Sequence, residues 1–266
     1  MKKGKSDMKE ERPLILVSND DGIGAKGVHE LVRELSVIGE VVCVCPESPQ
    51  SGMSMALTVN SPLKVKRLED YHGARMYRVN GTPVDCVKMA VDNLLDKTPD
   101  IVVSGINHGS NAAINVVYSG TMGAALEGCA YGIPSVGFSL TTHDEDADFA
   151  PCFPLLLEIV RKVLEKGLPD GICLNVNFPA GYKELKEMRV TRSSKGRWND
   201  RYEEYKDPSG RNFYWLAGEF ENAEPENPDT DEWCLKHGIT SVVPIMLDPT
   251  FRDVEKFKWL EKSEGL

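Results

Sequence analysis

Two adjacent carboxylates follow the first apolar run of the chain. Asp20 and Asp21 stand in the sequence Ser-Asn-Asp-Asp-Gly, directly after a run of strand length. Side-by-side carboxylates repel each other unless a cation lies between them, and hard oxygen ligands are those that Mg²⁺ or Mn²⁺ prefers. A second interpretation makes one aspartate a helix cap and the other a solvated turn residue. The pair alone indicates a metal site without deciding for it.

Two further polar turns contain oxygen donors of the matching kind. Residues 47–57 follow the second predicted strand and contain Ser51, and residues 104–111 follow another strand and contain Asn107. The Ser51 hydroxyl and the Asn107 amide oxygen could complete a mixed oxygen shell that leaves positions for water and phosphate. Each residue taken singly is also an ordinary turn residue, so the argument depends on their convergence.

A third polar turn precedes a predicted helix. Ser119, Gly120 and Thr121 are typical of an anion-binding turn, because free backbone amides and the helix dipole favour a phosphoryl group. Ordinary helix capping fits the same residues. We assign no role to His108, which lies in the Asn-rich turn.

The elements that must position these turns follow from hydrophobic periodicity. Short apolar runs alternate with longer amphipathic stretches, which predicts an α/β fold with a mostly parallel sheet and helices on both faces. The predicted strands are residues 14–18, 41–45, 101–104, 135–139, 172–176 and 239–246. The predicted helices are residues 28–38, 84–95, 122–131 and 153–166, with a short terminal helix opened by Pro249 behind an Asp248 cap. Ligands should collect at the carboxyl ends of the strands.

Composition restricts the class of partner. A net charge of −10 argues against binding of polymeric nucleic acid, and no apolar run approaches the ~20 residues of a membrane span. Residues 1–12 are charged and lack the apolar stretch of a secretory signal, so we expect a cytoplasmic protein. Cys43 and Cys45 alternate within an apolar run and should pack as small hydrophobic side chains on one face of a strand. Thr82, Pro83 and Asp85 predict a helix start.

The pattern changes after about residue 190. Aromatic, charged, Gly and Pro residues replace helical periodicity, which predicts an extended hairpin or arm whose aromatic side chains pack on the body or on another subunit. We therefore divide the chain into a charged N-terminal extension (1–12), a catalytic core (13–190), a hairpin arm for oligomerisation (191–238) and a C-terminal strand and helix (239–266).

A glycine pattern suggests a rival function. Gly22, Gly24 and Gly27 form GxGxxG between a strand and a helix, with Glu47 twenty residues further on, as in dinucleotide-binding oxidoreductases. Two carboxylates in the same turn would repel a pyrophosphate, which disfavours nicotinamide binding. A third interpretation is a nucleotide sensor that binds without hydrolysis.

Several short motifs follow one another in a specific order. They are Ser-Asn-Asp-Asp-Gly at 18–22, Ser-Gly at 51–52, Gly-Thr-Pro-Val-Asp-Cys-Val at 81–87, Pro-Asp-Ile-Val-Val-Ser-Gly-Ile-Asn at 99–107 and Ser-Gly-Thr at 119–121, followed by Ala124, Ala125, Glu127 and Gly128. Their order and spacing resemble the survival protein SurE family of nucleotidases. The similarity runs from about residue 13 to residue 244 and includes Arg192 and the arm sequence at 197–200.

This resemblance implies a Rossmann-like core with a C-terminal hairpin that forms a homodimer or homotetramer. It also implies a phosphatase that needs one divalent metal ion, Mg²⁺ or Mn²⁺, and acts on nucleoside 5′- or 3′-monophosphates, with short polyphosphate as a further substrate. Carried over position by position, the metal ligands are Asp20, Asp21, Ser51 and Asn107.

The roles we assign follow from these two lines of reasoning together. Asp20 and Asp21 are the catalytic residues. The phosphate is bound by Asn107, Ser119, Gly120 and Thr121. Two routes fit this set: an aspartate attacks the phosphoryl group first, or metal-activated water, which we favour, attacks it directly.

Overall fold

The computed structural model describes residues 12–261 and shows a large mixed sheet with a separate two-stranded hairpin. The strands are β1 (Leu14–Ser18), β2 (Glu40–Pro46), β3 (Val65–Arg67), β4 (Arg75–Val79), β5 (Ile101–His108), β6 (Ser135–Leu140), β7 (Ile172–Phe178), β8 (Met188–Val190), β9 (Gly196–Lys206), β10 (Asn212–Asn222) and β11 (Thr240–Met246). The helices are α1 (Lys26–Leu35), α2 (Pro83–Met89), α3 (Gly120–Ala130), α4 (Phe153–Lys166) and α5 (Asp231–Lys236). The predicted N-terminal extension lies outside the described residues, apart from Arg12.

The nine-stranded sheet has the order β3-β4-β2-β1-β5-β6-β7-β11-β8. The neighbours from β4 to β7 pair in parallel, while β3 and β11 each form one antiparallel pairing. The chain leaves β1 towards β2 on one side and reaches β5 on the other, so the sheet reverses its order at β1. Ligands of open α/β sheets bind at such a reversal, beyond the carboxyl ends of the strands.

Apolar side chains fill both faces of this sheet. Ile15 and Val17 of β1 face one cluster, which α1 and α4 cover, whereas Leu14 and Leu16 face the other, which includes α2 and part of α3. Helix α1 contributes a buried stripe at helical spacing. The prediction of an α/β fold with helices on both faces and a C-terminal hairpin is confirmed.

Local predictions differ in how well they hold. Thr82 caps α2 in a reciprocal capping box with Asp85, as predicted. That helix ends at Met89 and continues as a π-helical turn, Ala90–Leu94, so the predicted helix 84–95 changes type part-way. Cys43 and Cys45 are buried with their Sγ atoms 3.5 Å apart, which confirms that they share one face.

The prediction of a terminal helix opened by Pro249 is wrong. A 3₁₀ helix begins later, at Val254–Leu260. The Asp248 carboxylate instead accepts a hydrogen bond of 2.8 Å from the Thr250 backbone amide and forms an ion pair of 3.1 Å with Arg252, which closes a turn in front of the helix. None of the helices formed by residues 12–261 has the length and apolar character that a bilayer crossing requires.

Candidate active site

Asp20 lies where three of the predicted turns meet. It lies two residues beyond the end of β1, and its carboxylate accepts a hydrogen bond from the Thr121 hydroxyl at the start of α3. The backbone amide of Gln50 donates to the Asp20 carbonyl oxygen at 2.7 Å, which holds the turn after β2 against the turn after β1. A Cβ atom on Gly120 would lie 2.7 Å from the Asp20 Cβ atom. Position 120 therefore requires glycine if the Asp20 side chain is to pack against the start of α3.

The surroundings of Asp20 disfavour its negative charge. The pKa of this carboxyl is raised to about 6: burial raises it most, the Thr121 hydrogen bonds lower it, and the charge of Asp21 raises it. Asp20 is only 5% exposed. A buried carboxylate beside a second carboxylate is costly without a compensating positive charge. The electrostatics therefore suit a bound cation.

Asp21 and Asn107 are oriented by the end of strand β5. The backbone amide of His108 donates to Asp21 Oδ2 at 3.2 Å, and the His108 ring Nδ1 lies 3.4 Å from the same oxygen. The Asn107 side-chain amide donates to the Gly109 carbonyl oxygen at 2.9 Å. Because that bond uses the nitrogen, the Asn107 amide oxygen is left to accept or to ligate.

Asn107 and His108 lie in strand β5 rather than in the predicted turn at 104–111. Strand β5 continues to His108, and its pairing with β6 shifts register between Ser104 and Asn107. Such an irregularity redirects side chains locally and is common beside active sites.

Ser51 lies in the turn after β2, which is fastened to the chain before α3. The Ser54 backbone amide donates to the Tyr118 carbonyl oxygen at 3.1 Å, and the Ser54 hydroxyl donates to the Val117 carbonyl oxygen at 2.7 Å. Ser51 borders both cavities at this edge of the sheet. The turn therefore places Ser51 in the lining of both cavities, one of which Asp20 borders and the other Asp21.

The third turn combines capping with an open amide. The Ser119 hydroxyl oxygen accepts from the Met122 backbone amide at 3.0 Å, so the capping interpretation holds for this side chain. Gly120 is the first residue of α3, and its amide has no partner within the helix. The Thr121 amide faces the Asp20 carboxylate. The start of α3 thus adjoins the carboxylate turn.

Two adjoining cavities open at this edge, each of about 470 Å³. The main cavity is lined by Asp20, Ser51, Asn107 and Ser119, among others. The side cavity is lined by Asp21, Ser51, His108 and Lys26, among others. A cavity of this size suits a small organic ligand.

Comparison with known proteins places the chain in one family. The family model "Survival protein SurE" matches residues 15–200. The chain belongs to the SurE family. It is 47% identical over 243 residues to the 5′-nucleotidase SurE of Phocaeicola vulgatus, covering 91% of this chain and 94% of the relative.

Two other relatives support the same placement. The 5′-nucleotidase SurE of Flavobacterium psychrophilum is 49% identical over 241 residues, covering 90% of this chain and 93% of the relative. The crystal structure of the SurE protein from Aquifex aeolicus superposes with a TM-score of 0.81 at 39% identity, covering 94% of this chain and all of that one.

The residues that the SurE resemblance singled out line one edge of the sheet. Within residues 12–261, no three His, Cys, Asp or Glu side chains are grouped as a metal site. A cation would therefore rest on two carboxylates and two neutral oxygen donors, a set that fits Mg²⁺ or Mn²⁺ better than a softer metal. The metal-ligand roles of these residues stay a prediction.

Other residues around the main cavity were not predicted from the sequence. Asn111 belongs to a buried amide network: its backbone amide donates to Asn177 Oδ1 at 2.8 Å, and its side chain donates to the Ser139 hydroxyl at 2.8 Å. The network fixes the loop after β5. Glu232 lines the same cavity and stands in no recognisable motif.

The GxGxxG pattern of this SurE chain has a packing explanation. A Cβ atom on Gly27 would lie 2.0 Å from the Ile106 carbonyl oxygen, so glycine allows α1 to approach β5. A Cβ atom on Gly24 would meet open space, with no neighbouring atom within 4 Å. The close contact at Gly27 needs no dinucleotide to account for it.

Proposed function

We propose that this SurE-family protein is a metal-dependent 5′-nucleotidase, which releases phosphate from nucleoside 5′-monophosphates. The observation that carries the proposal is the hydrogen bond from Thr121 to Asp20, which joins the carboxylate turn to the start of α3. An acid pair and a helix start in direct contact can hold a cation and a phosphoryl group side by side. The names of the relatives at 47–49% identity support the same reaction.

The proposed cation ligands are Asp20, Asp21, Ser51 and Asn107. Mg²⁺ or Mn²⁺ bound there would supply Lewis-acid neutralisation of the charge on the phosphoryl group. The His108 amide and ring hold Asp21. The Thr121 hydroxyl holds Asp20 in position. Both carboxylates are therefore oriented by the protein before any ligand binds.

The start of α3 would orient the substrate. The Gly120 amide and the positive end of the α3 dipole favour phosphoryl oxygens, and Asn107 lines the same cavity. Water is the acceptor, and we favour its direct attack on the phosphorus atom over attack by an aspartate.

Phosphate release from a panel of nucleoside monophosphates tests this proposal. The panel contains 5′- and 3′-monophosphates and is measured with EDTA and then with Mg²⁺ or Mn²⁺ restored. We expect metal-restored release from the 5′-monophosphates and a loss of about a hundredfold or more in Asp20→Asn, because an electrostatic contact to the transition state is removed. Binding of Mn²⁺, measured by calorimetry, should weaken in the same variant.

The matched control is Asp96→Asn, which removes one negative charge at an exposed position away from the site. It should keep wild-type turnover. Undiminished turnover in Asp20→Asn would contradict the assignment of that residue. Tight metal-dependent nucleotide binding with no phosphate release from any monophosphate would support the sensor interpretation instead.

We also propose that the arm joins subunits into a homodimer or homotetramer. The hairpin of β9 and β10 pairs only with itself among the described strands, and aromatic side chains on both of its faces are exposed. An isolated two-stranded hairpin is marginally stable in water, so a partner surface would stabilise it.

A further inference from the structure

The main cavity has a wall that the proposed phosphate chemistry does not use. This wall is built by Trp198 and Phe220 from the base of the hairpin and by Glu232 from α5. The rings of Trp198 and Phe220 meet edge to face with centroids 6.0 Å apart, and the Trp198 indole donates to Asn115 Oδ1 at 2.8 Å. Aromatic rings beside a carboxyl suit the organic group attached to a phosphate.

Helix α5 presents Glu232 from a fixed backbone. The neighbouring Asp231 is fully buried, and its carboxylate accepts hydrogen bonds of 2.8 Å from the backbone amides of Glu232, Ser194 and Ala113. One carboxylate therefore ties together α5, the segment before the hairpin and the loop after β5. Because these hydrogen bonds fix the backbone, Glu232 is held in place before a ligand binds.

The Glu232 carboxyl has no hydrogen-bond or ion-pair partner within residues 12–261. Burial, followed by the negative charge of Asp231, raises the pKa of this carboxyl to about 7. A partly buried carboxyl without a partner destabilises a fold. Asp231 has a structural role, because its carboxylate accepts three backbone hydrogen bonds. The carboxyl oxygens of Glu232 are instead able to accept hydrogen bonds from a bound ligand.

We propose that Glu232 recognises the nucleoside part of the substrate by accepting hydrogen bonds from its O–H or N–H groups, while Trp198 and Phe220 contact the base. The inference rests on the proposed nucleotidase function and deepens it. The start of α3 would bind any phosphate monoester, and Glu232 would favour those esters that carry a nucleoside.

Two substrate classes separate recognition of the nucleoside from phosphate chemistry. p-Nitrophenyl phosphate has a flat ring and no N–H or O–H donor on its organic group. We expect Glu232→Ala to lower kcat/KM for nucleoside 5′-monophosphates about tenfold, the usual effect of one lost hydrogen bond, and to leave kcat/KM for p-nitrophenyl phosphate unchanged. Glu232→Gln keeps an acceptor oxygen and should lose less.

Further substrates locate the donor on the nucleoside. If the ribose 2′-hydroxyl is recognised, the wild type should prefer ribonucleotides to 2′-deoxynucleotides and Glu232→Ala should lose that preference. If the base is recognised, the effect of the substitution should depend on the base and be the same in both sugar series. Either pattern supports the inference.

The matched control is Glu226→Ala, an exposed carboxylate in the segment before α5. It should leave both substrate classes unaffected. An equal loss on both classes in Glu232→Ala, or no loss on either, would overturn the role of Glu232. Wild-type release from p-nitrophenyl phosphate without release from any nucleoside monophosphate would instead overturn the proposed nucleotidase function.

Discussion

Single glycines decide how closely the elements around the candidate site approach one another. Gly120 admits the Asp20 side chain, and Gly27 admits the carbonyl oxygen of Ile106. The atom that Gly27 would contact is a backbone oxygen, and backbone atoms shift less easily than the end of a flexible side chain. A methyl group at Gly27 would therefore push α1 away from β5.

Gly27→Ala should destabilise the protein by about 2–3 kcal/mol, the effect of overfilling a packed site. Gly24→Ala is the control within the same motif, because nothing lies within 4 Å of the added Cβ atom. We expect it to change the free energy of unfolding by less than about 1 kcal/mol. Urea unfolding of both variants measures the difference. Equal changes in the free energy of unfolding would show that close packing of α1 against β5 does not explain the glycine at position 27.

Glu232 should leave a signature in the pH dependence of stability. Its folded-state pKa, about 7, lies above the ordinary value of 4.5, so the folded state binds more protons between these values. The contribution of Glu232 to the stability of the wild type should therefore fall as pH rises from about 4.5 to 7.

Glu232→Gln cannot ionise and should avoid that fall. We expect the variant to be more stable than the wild type by about 1–2 kcal/mol at pH 8, after allowance for partial solvent screening, and equally stable at pH 4. Denaturant unfolding at both pH values measures this. A constant difference across the range would mean that Glu232 titrates normally.

The sequence predicts the site residues unevenly. Asp20, Asp21 and Ser119–Thr121 stand in polar turns next to apolar runs, and strand topology then brings those turns to one edge. Glu232 stands in no motif, and it reaches the cavity only because the segment after the hairpin returns to the sheet. Sequence spacing carries no signal for such a contact.

Whole elements were predictable where local chemistry determines them. Thr82 and Asp85 form their capping box from neighbours in sequence, so the start of α2 could be predicted. The terminal helix could not, because Asp248 and Thr250 form a turn that competes with helix initiation.

Short strands escaped prediction for a different reason. Strands β3 and β8 have three residues each, too few for a periodic pattern, and they exist through pairing with β4 and β11 respectively. Strand β5 extends to His108, beyond the predicted end at residue 104, because pairing with β6 resumes at Asn107 after the register shift. Tertiary pairing set these boundaries.

At the scale of the molecule, the reversal of strand order at β1 explains why the site is where it is. Neighbours β2 and β5 flank β1, so the turns that follow all three strands open on the same edge. The hairpin base then closes one side of that edge through Trp198. The main cavity and the arm are therefore structurally linked.

The rest of the hairpin extends from that contact without a second layer. Each strand has eleven residues, which corresponds to about 36 Å of extended chain. Pairing places Trp215 opposite Glu203 and Leu216 opposite Tyr202, so consecutive large side chains point to opposite faces. Trp215 is 65% exposed and Tyr202 is 71% exposed. Both faces are thus available to another copy of the chain.

Removal of the outer hairpin should convert the proposed oligomer into monomers. Residues 200–218 are replaced by Asn-Gly, a turn suited to antiparallel strands, which keeps Trp198 and Phe220 at the cavity. Light scattering after size exclusion measures the mass. Trp215→Ser should weaken association, since a large exposed ring at an interface contributes much of the binding energy.

Trp259→Ser is the matched control, because it removes a similarly exposed tryptophan outside the arm. It should leave the oligomer intact. An unchanged mass for the hairpin deletion would refute the arm as the interface. Monomers that retain turnover on p-nitrophenyl phosphate would show that the arm joins subunits without supplying the phosphate chemistry, which we propose for the turns around β1 within one chain.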